Sequence, residues 1–433
     1  MRLTLSNQWA SLLRMARTAT LWRHRDFRLL WAGETISHFG TAVSAIALPL
    51  VAVTVLAVTP FQMGLLTAAE TAAFLLVGLP AGAWLDRMRR RPVMLAADVA
   101  RGLLLLSVPL AWWADLLTYW QLLVVALLVG LGTVFFDVAY QSYLPSLVGR
   151  ELLIEGNSKL ESTRSLSHVT GPAIGGGLVQ LLGATTAVLV DAVSYFVSAA
   201  ALARVRTPEP EPAPAEHPLL RTQIAEGLRF VLRHPLLRPI TGSTASFNFF
   251  NGIQAAVIVL FLARELGLSP GTIGLLFTAG GIGGLLGAVT SAWVARRVGQ
   301  ARIIWLSVLV TSPFGLLIPI AEADWRIALI FVADVAIGYG VVVYNVAQVS
   351  FRQAICPDRL LGRMNASIRF LVWGIMPLGG LAGGLLGEWL GVRGALWVAM
   401  SGQALSVGWV LASPLRTMRD LPTAEAELAD SMH

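Results

Sequence analysis

The chain contains an internal repeat. Residues 130 to 190 align with residues 338 to 398 without a gap, at a constant offset of 208 positions. The identities include glycines as well as apolar residues, with the pairs Gly171 and Gly379, Gly175 and Gly383, and Gly176 and Gly384. Since apolar composition alone rarely aligns glycines, the chain consists of two copies of one unit. Parallel repeats in a hydrophobic chain are typical of secondary transporters, whose two halves rock around a site between them.

Composition indicates a membrane protein. The 433 residues are 56% hydrophobic and 13% charged, whereas soluble proteins carry about 25% charged residues. The net charge of +7 falls in short clusters between apolar runs, which favours contact with membrane lipids over nucleic acid. A single cysteine, Cys356, excludes a disulfide framework. The sequence has no G-x-x-x-x-G-K-[ST] loop and no H-E-x-x-H motif, so no cofactor, metal site or enzymatic activity is expected.

Twelve apolar runs are long enough to cross a bilayer as helices, which needs about 20 residues. The approximate spans are 27 to 52, 61 to 84, 93 to 114, 118 to 143, 158 to 182, 184 to 204, 240 to 263, 271 to 294, 302 to 321, 326 to 350, 365 to 388 and 392 to 413. The runs are too long for barrel strands, and helices are the remaining way to satisfy the backbone in lipid. We therefore predict an all-α membrane protein with twelve transmembrane helices in two parallel six-helix halves.

Positive charge alternates between successive loops. Basic residues follow spans 2, 4 and 8, whereas the opposite side holds only Arg264, Arg326 and Arg393. The positive-inside rule then predicts that both termini are cytoplasmic. Among the basic residues, 31 are Arg and one is Lys, a ratio typical of a GC-rich bacterium, so the plasma membrane of a bacterium is the expected location. The predicted domains are a cytoplasmic tail (1–26), a six-helix bundle (27–205), a cytoplasmic linker with a surface helix (206–238), a second six-helix bundle (239–414) and a cytoplasmic tail (415–433).

The loop after span 2 carries a recognisable motif. Its sequence is Gly82-Ala-Trp-Leu-Asp86-Arg87-Met-Arg89-Arg90-Arg91. It resembles the signature of the major facilitator superfamily, G-x-x-x-D-R-x-G-R-R, with Arg89 in place of a glycine. The resemblance implies that Gly82 lets helix 2 approach helix 11, and that Asp86 faces the positive N-terminus of helix 11 and latches the cytoplasmic side in the outward-open state. Arg87 and Arg90 would belong to the same gate; the alternative is that the arginines only set the topology.

Span 5 carries a second motif. Its sequence Gly171-Pro172-Ala-Ile-Gly175-Gly176 resembles the G-P-x-x-G-G signature of drug/proton antiporters in that superfamily. Glycines four apart permit close helix packing, and a proline lets the helix bend as the halves rock. The repeat gives span 11 a matching set, which comprises Pro377, Gly379, Gly383 and Gly384. Packing without any hinge role is the alternative.

Further segments are similar to one branch of the superfamily. Phe27-Arg28-x-Leu-Trp31, Phe247-Asn248-Phe249-Phe250 and Leu361-Gly362-Arg363-x-Asn365 resemble sequences of macrolide-type and siderophore exporters. The similarity covers nearly the whole chain. An arginine inside span 4, present in many drug/proton antiporters, is missing here. The resemblance therefore does not extend to proton coupling by that residue.

Four carboxyl groups within the spans are candidates for proton coupling. A charge at the bilayer centre costs at least about 2.5 kcal/mol and usually marks an ion or substrate path. Glu70 and Asp334 are predicted about 13 Å from the outer end of their spans, and Glu34 and Asp191 about 10 Å in from opposite sides. Each could take up a proton when desolvated and release it when exposed. The alternative is a structural carboxylate paired with a hydroxyl or an arginine.

Other polar residues are assigned to a gate or to the substrate cavity. Asp98 with Arg101, and Glu161 with Arg164, are three apart and are expected to pair, either structurally or in the gate. Asp137 is a further gate candidate because the repeat replaces it by Asn345. The cavity-lining candidates are the amides and phenols of Tyr140, Gln141, Asn248, Asn251, Gln254, Tyr344 and Gln348. Such a mixture suits a large amphipathic ligand.

These features together predict a secondary active transporter. The main hypothesis is proton-coupled efflux of hydrophobic or amphipathic drugs or secondary metabolites by alternating access, by a monomer with small molecules, protons and membrane lipids as its partners. The nearest alternative is a siderophore exporter or a dedicated metabolite exporter. A non-transporting membrane receptor is the alternative from a different class.

Overall fold

In the computed structural model, the described residues are 20–85, 87–149, 151–209, 220–356 and 358–420. After a short helix at Thr20–Arg23, the N-terminal half has six long helices: α1 (Arg25–Leu50), α2 (Pro60–Leu85), α3 (Arg90–Trp113), α4 (Tyr119–Val148), α5 (Leu153–Leu182) and α6 (Ala184–Ala203). Each follows one of the predicted apolar runs.

The linker helix and the C-terminal half follow. Their helices are α7 (Leu220–Arg233), α8 (Leu237–Leu260), α9 (Pro270–Val298), α10 (Arg302–Thr311), α11 (Ile327–Ile355), α12 (Asp358–Trp373), α13 (Met376–Leu405) and α14 (Gly408–Leu411). The basic loops after α2, α4 and α9 share one end of the molecule, named here the basic end; the other is the far end.

The two halves agree in local detail. A π-helical turn extends α1 over Val51–Val55 and α8 over Phe261–Glu265, 210 positions apart. One glycine with positive φ joins α5 to α6, at Gly183 with φ of 83°, and its counterpart Gly391 has φ of 74° within α13. Left-handed backbone favours glycine. Gly391 therefore divides α13 into an outgoing and a returning segment, equivalent to the end of α5 and to α6.

Two segments of the C-terminal half differ from the predicted continuous spans. Beyond α10 the chain continues as a 3₁₀-helix over Ser312–Leu317, because Pro313 has no N–H to donate to the carbonyl of Leu309. Span 11 is interrupted between α12 and α13, because Pro377 likewise cannot donate to the carbonyl of Trp373. In the first copy of the repeat α5 is continuous, so the interruption belongs to the second copy alone.

The number of membrane passes becomes clear once the helix interruptions and the turn at Gly391 are taken into account. Among the described residues, nine segments are long and apolar enough to span a bilayer, and one of them, Arg363–Leu411, is 49 residues long. That segment makes two passes, because the chain turns at Gly391. Helix α5 has a polar first half, and α10 with its 3₁₀ extension is a shorter apolar helix at Arg302–Leu317. Together they complete the twelve-helix arrangement.

The linker helix α7 packs on α12 rather than lying free. Val231 is fully buried, and a Cβ atom on Gly227 would meet the backbone of Arg363. The Arg363 guanidinium also donates to the Glu226 carboxylate. The chain after α6 is anchored at Glu209, whose carboxylate accepts the backbone N–H of Arg90 at 2.5 Å.

The halves meet at the far end along two crossings, α5 against α9 and α2 against α13. A Cβ atom on Gly176 would lie 2.9 Å from the Cα of Gly274, and one on Gly64 would lie 2.6 Å from the Cα of Gly384. Small residues allow this approach of two backbones. The Arg264 guanidinium adds a link between α8 and the end of α1, donating to the carbonyl of Val58 at 2.7 Å.

Candidate transport site

The N-terminal half encloses a charged cluster between α1, α3, α4 and α6. At its centre the Arg101 guanidinium donates to the Asp98 carboxylate, with Nη2 and Oδ1 2.5 Å apart. Both side chains are almost fully buried, at 5% and 0% exposed. The guanidinium carbon lies 4.6 Å from the ring centre of Phe136 and 4.2 Å from that of Tyr195. A buried cation is therefore held by one carboxylate and two aromatic faces.

Glu34 extends this cluster from α1. It is 5% exposed, and its carboxyl group lies within electrostatic range of Asp98, Arg101 and Asp137. The imidazole Nε2 of His38, one turn further along α1, lies 3.6 Å from Glu34 Oε2. Three carboxyl groups thus surround one guanidinium, an excess of acid in a buried region.

The remaining predicted coupling residues lie in different surroundings. Asp191 of α6 is 1% exposed, accepts a hydrogen bond from Ser194 at 3.0 Å, and is also influenced by Arg101. Glu70 of α2 and Asp334 of α11 are half-buried and are not among the charged neighbours of Glu34. The structure therefore brings Glu34 and Asp191 to the cluster and leaves Glu70 and Asp334 apart.

The predicted latch is only partly within the described residues. Asp86 lies outside them; Gly82 is in the last turn of α2, and Arg87 follows that helix, its N–H donating to the carbonyl of Trp84 at 3.2 Å. Arg90 is the first residue of α3. The basic end also carries Glu161 and Arg164 of α5, whose charged atoms lie 3.9 Å apart with both side chains more than half exposed.

The glycine motif of α5 lies in two interfaces. Gly171 and Gly175 face α1 in the same half, where a Cβ atom on Gly175 would lie 3.1 Å from the Cα of Val43, and Gly176 faces α9 across the molecule. Pro172 lies within α5 without interrupting it.

The second copy is arranged in the same way. Gly379 and Gly383 face α8 in their own half, and Gly384 faces α2 across the molecule. Pro377 begins α13. In both copies one helix therefore packs on its own half through two glycines and on the opposite half through another.

The C-terminal half has a cavity of about 60 Å³ where the N-terminal half has its charged cluster. Thirteen described residues line it, and all of them are uncharged. The polar ones include Ser243, Thr244, Asn248, Thr311, Tyr344 and Asn345. A space of this size accommodates a small group of a ligand, since pockets for whole small molecules usually measure about 300–1,000 Å³.

Two of the predicted cavity residues, Asn248 and Tyr344, line this space. Gln348 lies one turn from it and donates to Asn345 at 3.3 Å. Gln254 of α8 accepts a hydrogen bond from Gln403 at 2.8 Å.

The other three predicted cavity residues have different neighbours. Asn251 is half-buried on α8 and Gln141 is exposed on α4. Tyr140 stacks on Phe136 at 6.3 Å between ring centres, which puts it beside the charged cluster.

The cavity and the cluster occupy equivalent positions. A Cβ atom on Gly132 of α4 would lie 2.9 Å from Arg101 Cγ, and a Cβ atom on the equivalent Gly340 of α11 would lie 2.8 Å from Thr311 Cβ. Thr311 is thus the counterpart of Arg101. The same correspondence pairs Glu34 with Thr244, Asp98 with Val308, Phe136 with Tyr344 and Asp137 with Asn345.

Sequence reasoning assigned Arg101 to a gate and did not include Thr311 or Ser243. The repeat matched α4 with α11 at a constant offset of 208, but α3 and α10 correspond only at an offset of 210 and share few identities. Their correspondence emerges from the equivalent glycines that Arg101 and Thr311 touch.

The fold and site together define a membrane transporter of the major facilitator type, with two related six-helix halves and polar groups buried within each. The chain belongs to the transmembrane secretion effector family of that superfamily, which it matches over residues 17–432. The resemblance, the twelve-helix fold and the transport function predicted from the sequence are confirmed.

Two curated relatives are similar over most of their length. The multidrug efflux pump Tap of Mycolicibacterium fortuitum is 28% identical over 367 residues, which cover 82% of this chain and 87% of Tap. The enterobactin exporter EntS of Escherichia coli O1:K1 is 29% identical over 353 residues, which cover 79% of this chain and 80% of EntS.

Solved structures show the same fold. A bacterial homologue of the iron transporter ferroportin, in its inward-facing state, has a TM-score of 0.70 at 17% identity and covers 90% of this chain and 98% of its own. The nucleoside transporter NupG has a TM-score of 0.72 at 11% identity and covers 89% of this chain and 98% of its own.

Proposed function

We propose that this transporter is a proton-driven exporter of amphipathic small molecules. The observation that carries the proposal is the cluster of the buried residues Glu34, Asp98 and Arg101 with the half-buried Asp137 in the N-terminal half. A carboxyl group that gives up and regains a proton during a transport cycle must be desolvated in one state and accessible in another. Glu34 meets the first condition, at 5% exposed.

The cluster contains the groups that proton exchange requires. Asp98 is paired with Arg101 through Oδ1, whereas Glu34 and Asp137 lie within electrostatic range of Arg101, and Glu34 is the more deeply buried of these two. When Glu34 is ionised, Arg101 attracts it; when it is protonated, that attraction and the repulsion from Asp98 and Asp137 are lost. Protonation therefore changes the electrostatic energy of α1 against α3, which can bias a balanced two-state equilibrium.

The contacts between the halves support transport by alternating access, because they are found at one end of the molecule. The crossings at Gly176 and Gly64 and the link from Arg264 to Val58 hold the far end closed. If the basic end faces the cytoplasm, as the positive-inside rule predicts, this is the state that would receive substrate from the cytoplasm. Both termini would then be cytoplasmic, and the chain would act as a monomer in a bacterial plasma membrane.

The substrate class is supported by the relatives. The efflux pump Tap and the enterobactin exporter EntS move different compounds, and both are similar to this chain over most of its length. Amphipathic drugs or secondary metabolites are the first choice. A siderophore is the second, and EntS is the observation that favours it.

The test is transport by the purified protein in proteoliposomes. Vesicles loaded with ethidium or Nile red are given a proton gradient of either direction, with and without a protonophore. An exporter moves the probe against its gradient only when protons flow the other way, and the protonophore abolishes the movement. A receptor or an enzyme would bind the probe or convert it without accumulation, and that outcome contradicts the proposal.

A further inference from the structure

The cavity of the C-terminal half exists because of a difference between the two copies. The Arg101 side chain extends against Gly132 in the first copy, whereas the shorter Thr311 lies against Gly340 in the second. Val308 stands where Asp98 accepts the arginine's hydrogen bond. The second copy therefore lacks both members of the ion pair and has a cavity of about 60 Å³ in their place.

Hydrogen-bond donors on the cavity wall are largely committed to the protein. The Thr311 hydroxyl donates to the carbonyl of Ser307 at 2.8 Å, and the Ser406 hydroxyl donates to the carbonyl of Gln403 at 2.6 Å. The Asn248 amide donates to the carbonyl of Val372 at 2.8 Å. Each of these side chains keeps an oxygen with free acceptor capacity.

These lining residues favour a particular kind of ligand. It presents acceptor oxygens, an aromatic ring at Tyr344 and apolar side chains at Val308 and Ile337, without a charge among its lining residues. A cation or anion would lose its hydration there without a partner of opposite charge. A small neutral group with a hydroxyl or an N–H would satisfy the oxygens and bury its apolar surface.

We propose that this cavity is a substrate subsite that takes a small, uncharged, hydroxyl-bearing group of the substrate, and that the two halves contribute a charged cluster and a neutral subsite, respectively. The proposal rests on the transport function proposed above, because it assigns part of the substrate to the C-terminal half. Binding and coupling would then be separable by mutation, since they involve different helices.

The experiment measures equilibrium binding to the purified chain in nanodiscs without any ion gradient. The probe is radiolabelled chloramphenicol, a neutral molecule with two hydroxyl groups and one N–H, and the comparison probe is tetraphenylphosphonium, a cation without donors. The double variant Val308→Asp with Thr311→Arg copies the ion pair of the first half into the cavity. Asn345→Leu removes one polar group with little change in volume, and Gly177→Ala of α5, where a Cβ atom would meet no atom within 4 Å, is the control.

The wild-type chain and Gly177→Ala should bind chloramphenicol with equal affinity. The double variant should bind it at least about tenfold more weakly, because the hydrogen bond to Thr311, about 1 kcal/mol, is lost and the introduced side chains fill the cavity. Asn345→Leu should weaken binding several-fold, and tetraphenylphosphonium binding should not change. Thermal unfolding identifies any variant that is not folded. If the double variant is not folded, the comparison of Asn345→Leu with the wild-type chain tests the subsite.

Equal chloramphenicol affinity in folded variants and wild type would overturn the subsite, as would a wild-type chain that does not bind this probe. Failure of proton-driven transport with Asn345-dependent binding intact would instead overturn the proposed function and leave the subsite standing. The two failures are distinguishable because the binding assay has no gradient.

Discussion

Gln180 and Glu388 occupy equivalent positions of the repeat, and each caps a helix of the opposite half. The Gln180 side-chain oxygen accepts the backbone N–H of Gly271 at 3.1 Å, in the first turn of α9. The Glu388 carboxylate accepts the backbone N–H of Phe61 at 3.1 Å, in the first turn of α2. Both caps satisfy N–H groups that a helix leaves without an internal partner, so they close the far end in the same way, one neutral and one charged.

The Glu388 cap predicts a shift between conformations. Glu388→Ala should open the far end, because losing a helix cap costs about 0.5–2 kcal/mol and this cap joins the two halves. Spin labels in the α1–α2 and α8–α9 loops should report a larger population of long distances. Glu388→Gln is the matched control, since Gln180 already performs this role in the first copy. No change in the Glu388→Ala distances would show that the cap does not hold the far end.

The crossing of α5 and α9 predicts a sharp contrast between neighbouring glycines. A Cβ atom on Gly176 would lie 2.9 Å from the Cα of Gly274, whereas one on Gly177 has no atom within 4 Å. Gly176→Ala should therefore reduce transport strongly, and Gly177→Ala should leave it close to wild type. Efflux of ethidium by vesicles with equal amounts of each variant measures this. Equal activity of the two variants would contradict the close crossing.

The buried ion pair predicts a large stability effect. Asp98→Asn or Arg101→Met alone should lower the unfolding free energy by about 3–5 kcal/mol, because each leaves one unpaired charge in the interior. The double variant Asp98→Asn with Arg101→Met should recover most of that stability. Thermal unfolding in detergent measures both. If the double variant is no more stable than the singles, packing rather than charge explains the loss.

The exposed pair of α5 provides the contrast to that experiment. Glu161 and Arg164 lie 3.9 Å apart with side chains 67% and 56% exposed. Surface pairs contribute about 0–1 kcal/mol, so Glu161→Gln should change the unfolding temperature little. A loss comparable to that of Asp98→Asn would show that this pair belongs to a gate and not to a solvated face.

The position of Glu34 predicts which carboxyl group couples transport to protons. Glu34→Gln should slow proton-driven accumulation at least about tenfold, which corresponds to ~1.4 kcal/mol, while exchange of labelled for unlabelled probe without a gradient continues. Asp334→Asn is the matched control, since it is another carboxyl group within a membrane helix, and the charged neighbours of Glu34 do not include it. If Asp334→Asn abolishes accumulation and Glu34→Gln does not, coupling belongs to the C-terminal half.

Much of the architecture could be predicted from local patterns. A surface helix was expected within the linker at 206–238, and it lies at Leu220–Arg233. The interruption before Pro377 was not expected. In the first copy of the repeat, Pro172 lies within the continuous helix α5. Whether a proline interrupts a helix depends on the neighbouring helices, which the local sequence does not specify.

The sequence by itself determined the membrane environment, the number of passes and the twofold repeat, because hydrocarbon thickness and backbone hydrogen bonding act on each segment separately. The tertiary structure decided which polar groups meet. Arg101 belongs with Glu34 and Asp98 because Gly132 lets α3 and α4 approach, and Thr311 lines a cavity because the equivalent approach of α10 and α11 has a smaller side chain. These relationships depend on distances between helices far apart in the chain, so no single segment encodes them.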